Sequence, residues 1–104
     1  MKLMTKELYE KMPKLGATSN KKTEEIPIIC KFFNPVGSWT WYVMEGQPEG
    51  DDFIFYGFVR GFENEFGTFS LKELESVKGS LGLGIERDLH FKEHMLSEAV
   101  EKQL

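Results

Sequence analysis

Between Trp39 and Leu71 the chain reads Trp-Thr-Trp-Tyr-Val-Met, a glycine-bearing turn, Phe-Ile-Phe-Tyr-Gly-Phe-Val-Arg, a second turn, then Gly-Thr-Phe-Ser-Leu. Large apolar residues recur there at every second position. Successive side chains of a strand point to opposite faces, so this spacing predicts extended chain. Punctuated runs of this kind predict an antiparallel sheet. Both faces of the runs carry large apolar groups, whereas a sheet with one wet face alternates more cleanly. Helices packed on the sheet, a sheet that curls on itself, or an aromatic face that binds a partner would each account for that.

The rest of the chain adds to this centre. At 104 residues it has room for one domain. The expected class is α+β: a single small domain, 1–104, with a mainly antiparallel sheet of four or five strands and short helices packed on it. Strands are predicted at 26–33, 39–44, 53–60 and 66–70, with a fifth at 86–91. Within the first, Ile26, Ile28, Cys30 and Phe32 share one parity, and Pro27 suggests a strand start or a sheet edge. Gly57, in mid-strand, predicts a bulge or a close approach by a tryptophan ring. Glu45 to Asp52 reads as a loop. Thr5 caps a helix over 5–12 that Pro13 stops. Ser70-Leu71-Lys72-Glu73 matches a capping box and opens a helix over 71–77. A flexible loop is expected over about 16–25. A glycine-rich packed loop is expected from Ser80 to Ile85, and a frayed tail over about 97–104.

Composition narrows the function classes. Formal net charge is -4 with the signs interspersed. That argues against tight nonspecific binding to phosphate backbones, which draws on a basic surface. The one cysteine, Cys30, excludes an intrachain disulfide and fits a cytoplasmic location. Its parity with Ile28 and Phe32 predicts a buried, uncatalytic thiol. The N-terminal residues show no signal-peptide pattern, and no apolar run approaches the roughly 20 residues of a membrane helix. No membrane partner is expected.

Five blocks resemble a single family: Met1-Lys2-Leu3-Met4-Thr5-Lys6-Glu7-Leu8, Lys31-Phe32-Phe33-Asn34-Pro35, Trp39-Thr40-Trp41-Tyr42, Phe66 through Val77, and Leu81 through Phe91. It is the bacterial family catalogued as domain of unknown function 2958, and the likeness runs over about residues 1–93. The resemblance implies a single-domain bacterial protein of a kind often carried by phages, plasmids and other mobile elements. It implies no reaction, so no residue receives a catalytic role from it.

Candidate chemistry follows from residue types. Trp39, Trp41, Tyr42, Tyr56 and Phe58, with Arg60 at the rim, form the candidate binding cluster, since aromatics and arginine dominate interface energetics. The expected function is a non-enzymatic protein-binding accessory or inhibitor associated with a mobile element, with a protein partner or self-association. A single-stranded nucleic-acid module is the alternative, using the same rings with Lys31 and Arg60; it is disfavoured by net charge. A small hydrolase or metal-dependent enzyme is the further alternative. Its candidates are Glu86, Arg87, Asp88 and His90, with Glu63 and Glu65 beside the fourth strand. No cofactor and no metal are expected: Cys30, His90 and His94 lack the ligand set of a zinc site, and Gly79 to Gly84 lacks the lysine of a phosphate loop.

Overall fold

A computed structural model describes residues 1–79, 82–102 and 104. The expectations that fall on Ser80, Leu81 and Gln103 lie outside the described residues. The fold is a small α+β domain built on a five-stranded antiparallel sheet. In chain order the elements are α1 (Lys6–Lys11), a 3-10 turn (Thr23–Glu25), β1 (Cys30–Phe33), β2 (Thr40–Glu49), β3 (Asp52–Arg60), β4 (Asn64–Ser70), α2 (Leu71–Ser76), β5 (Glu86–Arg87) and α3 (Leu96–Glu101). Across the sheet the order is β4-β3-β2-β1-β5.

The sheet is covered on both sides, so of the three accounts of its two apolar faces the helices supply the answer. On the first face Phe32, Trp41, Val43, Phe53, Phe55 and Phe69 pack under α1, α2 and the N-terminal Leu3 and Met4. Phe55 is the hub, with ring centroids 5.5 Å from Phe32, 5.1 Å from Phe53 and 5.4 Å from Phe69. On the second face Tyr42, Met44 and Phe58 pack against Ile26, Ile28, Leu96 and Ala99. Each fully buried large apolar side chain contributes about 1.5–3 kcal/mol of transfer free energy.

Thr5 Oγ1 accepts from Leu8 N at 3.3 Å and caps α1 as its sequence predicts. Ser70 Oγ accepts from Glu73 N at 3.1 Å and caps α2. The second acceptor at this helix start comes from across the sheet: Asp52 Oδ1, at the head of β3, accepts from Lys72 N at 3.1 Å. Ser70→Ala orphans the Glu73 amide and should cost about 0.5–2 kcal/mol. Denaturant unfolding checks it, and an unchanged midpoint would contradict the cap.

Three expected boundaries need correction. The first strand does not run 26–33. Ile28 N donates to His94 O, Leu96 N donates to Ile26 O, and Pro27 bridges Met95, so this stretch pairs with the approach to α3. Proline has no N–H for a sheet ladder, and the chain joins β2 only beyond it. Ile26 and Ile28 therefore sit on the second face, while Cys30 and Phe32 sit on the first. The 45–52 stretch is not a loop either. β2 continues to Glu49 and turns back through Gly50 and Asp51, where Gly50 supplies a φ of 60°. Pro48 is tolerated because β1 ends opposite Val43, leaving that flank of β2 without a strand. Lastly, β5 stops at Arg87. Asp88 folds into a turn, its Oδ1 accepting from His90 N at 2.9 Å.

Gly57 marks both a bulge and a close approach. Val43 pairs with Gly57 and Glu45 with Tyr56, leaving Met44 as the extra residue of β2. A Cβ on Gly57 would overlap the Tyr42 carbonyl oxygen, so the close neighbour is backbone. The glycine under a tryptophan ring is Gly61, whose Cβ would lie 2.6 Å from the Trp39 indole.

Candidate functional site

The bulge at Met44 gives β2 two consecutive residues on the second face, and the second of these is Glu45. Its side chain is only 3% exposed. Glu45 Oε1 accepts from Gly16 N at 2.7 Å, and Oε2 accepts from Thr18 N at 2.9 Å and from Thr18 Oγ1. Two main-chain amides and a hydroxyl thus satisfy both oxygens of one buried acidic side chain, as burial of a polar group requires. Gly46 N donates to Pro13 O at 2.8 Å and Leu15 N to Gln47 Oε1 at 3.3 Å. The segment after α1 is therefore laid along the flank of β2 that β1 does not reach.

That segment walls a groove of ≈ 470 Å³ on the second face, within the size range of ligand and side-chain pockets. Leu15, Ile26, Met44 and Leu96 make its floor and far wall. Tyr56 and Phe66, stacked 6.3 Å apart with planes at 19°, make the side next to β4. Lys21 stands at the rim.

The six residues of the expected aromatic cluster do not form one surface. Trp39 and Trp41 belong to the first face, and Tyr42, Tyr56, Phe58 and Arg60 to the second. Trp41 (8% exposed), Tyr42 and Phe58 are core. Tyr42 also accepts from Leu104 N at 3.2 Å through its hydroxyl. Arg60 Nη2 donates to Ala99 O at 2.6 Å, near the C-terminal end of α3 where cations are favoured, and its guanidinium lies 5.5 Å from the Phe58 ring. Lys31 Nζ donates to Leu104 O at 2.6 Å and pairs with Asp88 at 3.5 Å. Both cations that would frame a nucleic-acid platform are thus engaged within the fold.

The most exposed aromatic ring among the described residues lies at the β3–β4 turn. Phe62 is 95% exposed and meets Trp39 edge-on, with centroids 5.4 Å apart. Trp39 leans on Trp41 at 5.8 Å and on Gly61. Beside it a depression of ≈ 260 Å³ is lined by Trp39, Trp41 and Val77, with the carboxylates of Glu65 and Glu73 at its edge. Three residues of the two sites, Phe62, Phe66 and Glu45, lie outside the candidates that the sequence offers. Phe62 sits in a turn, between Gly61 and Glu63, where an apolar ring has no core to enter; that was the available signal. Phe66 falls in an expected strand, where alternation alone gives it no role beyond packing. Glu45 carried no signal short of locating the bulge.

Arg87 Nη1 donates to Leu3 O at 2.9 Å and Lys2 O at 3.2 Å, tying β5 to the N-terminal segment. Asp88 faces Lys31, and His90 is exposed on its turn. His94 Nδ1 lies 2.9 Å from Glu98 Oε2. Among the described residues no three His, Cys, Asp or Glu side chains gather as metal ligands. Cys30 is buried, and burial pushes its thiol up to about 12, leaving it protonated at neutral pH. No described helix is long and apolar enough to cross a membrane.

A family model described as "Protein of unknown function (DUF2958)" matches residues 3–102. No curated protein and no solved structure matches the chain.

Proposed function

We propose that this chain, which belongs to the DUF2958 family, is a cytoplasmic, non-catalytic protein-binding accessory that engages its partner through the aromatic surface at the β3–β4 turn. One observation carries the reading: Phe62 presents nearly its whole ring to solvent while Trp39 props it from behind. A ring already held in place loses little side-chain freedom on binding, which is what makes an aromatic an effective anchor. Val77, which lines the depression beside Trp39, and Val36, which packs against Gly79, are partly exposed as well. Glu65 and Glu73 rim this surface. They repel phosphate and suit a partner that sets basic residues around an apolar centre. The resemblance to proteins carried by phages and plasmids supports an accessory or inhibitor of a mobile element as the setting.

The test is affinity capture from bacterial lysate with and without nuclease, using the native chain and Phe62→Ala. A protein retained after nuclease and lost by Phe62→Ala is the expected result. Because Phe62 is so exposed, the variant should unfold within about 0.5 kcal/mol of the native chain, so that lost capture is not lost folding. Capture that vanishes with nuclease would replace the reading with single-stranded nucleic-acid binding.

A further inference from the structure

The outer edge of β4 is an unpaired strand with a side-chain pocket on either side of it. Gly46 turns its amide to Pro13 and Val43 its carbonyl to Ile29, so neither exchanges main-chain bonds with its β3 partner, Phe55 or Gly57. Main-chain direction alternates along an antiparallel strand. Phe55, Gly57 and Val59 therefore face β4 and bond there with Phe69, Gly67 and Glu65. By the same alternation the N–H and C=O groups of Asn64, Phe66 and Thr68 face away from the sheet. Among the described residues no main-chain hydrogen bond reaches them from outside. Natural edge strands are commonly blunted by proline, lysine, a bulge or shortness. β4 has seven residues, no proline, lysine or bulge, and a single charged side chain, Glu65, on the first face.

We propose that this edge receives an extended segment of a partner protein as a sixth strand, with apolar side chains alternating with Lys or Arg. The proposal rests on the protein-binding reading above and names the partner's chemistry. In strand addition the main chain supplies affinity, while pockets for alternate side chains supply specificity. Phe66 and Thr68 border the groove of the second face, so side chains of one parity meet Phe66 and Thr68 at the mouth of that groove. Side chains of the other parity lie over the first face, where Glu65 and Glu73 border the depression beside Trp39. The first environment selects apolar groups and the second selects cations. A second copy of the chain is the poorer occupant, since it would bring its own Glu65 and Glu73 against this acidic rim.

The test uses the full chain and a short synthetic peptide, blocked at both ends, in which Lys alternates with Phe or Leu. Binding should slow hydrogen exchange at the Phe66 and Thr68 amides. N-methylation of alternate peptide amides should weaken it about tenfold or more, because it removes main-chain donors and leaves side chains in place. Thr68→Pro should abolish it; the N-methylated peptide asks the same question without requiring that variant to fold. Absence of peptide binding overturns the proposal, as does equal binding by a scrambled or N-methylated peptide. Slowed exchange at these amides in a concentration-dependent dimer of the free chain assigns the edge to a second copy and also overturns it. A partner that depends on Phe62 yet leaves Phe66 and Thr68 exchanging freely removes strand addition alone and leaves the proposed function standing.

Discussion

Glu45→Ala should lower the stability of the fold by about 3 kcal/mol, since it leaves two main-chain amides and one hydroxyl without their acceptor. The three donors, Gly16 N, Thr18 N and Thr18 Oγ1, belong to one short segment and converge on the one carboxylate. Glu45→Gln should rescue little. Both carboxylate oxygens accept, so either orientation of an amide turns an NH2 group onto a donor. Denaturant unfolding measures the loss, and amide exchange should show Gly16 and Thr18 opening with it. A loss under about 1 kcal/mol would mean that the segment holds to β2 through Pro13 and Leu15 alone.

Gly57→Ala should be as damaging, at about 3 kcal/mol or more, because the new methyl group meets main chain that cannot rotate away. Its Cβ would overlap the Tyr42 carbonyl and stand 3.2 Å from Val43 Cα. Relief requires β2 and β3 to part at the bulge that turns Glu45 onto the second face. Gly67 is the matched control, since it pairs with Gly57 across β3 and β4 and has open space where a Cβ would go. Gly67→Ala should change stability by less than about 1 kcal/mol. Equal effects at the two glycines, read from unfolding midpoints, would contradict the packing described around the bulge.

These positions also show what the residue pattern could and could not convey. β3 was legible nearly to the residue because its alternation from Phe53 to Arg60 is unbroken and both faces are covered. The two helix caps were legible because a hydroxyl three residues ahead of an orphan amide is a local signal. The second half of β2 was hidden: Glu-Gly-Gln-Pro-Glu has the composition of a loop, and only the pairing with β3 makes it a strand. Periodicity also failed across Pro27, where the chain changes partners and Ile28 and Cys30 part to opposite faces.

The candidate site was less legible than the fold for a related reason. Alternation says which rings share a face but not how much of each face is covered, so Trp41, Tyr42 and Phe58 looked the same as exposed rings. The helices that bury them lie far away in sequence. Phe62 lies in a turn and so belongs to no periodic pattern, although an aromatic at a turn tip is where exposure is hardest to avoid.

On the proposed reading the chain binds through the β3–β4 side of the sheet and not through its buried rings. The most direct measurement is amide exchange along the full chain, free and with the captured partner bound. Exchange should slow over 61–68 and change little over α3, whose contacts with Arg60 and the second-face core are internal. Slowing confined to 86–90, around Glu86, Asp88 and His90, with 61–68 unchanged, would contradict it.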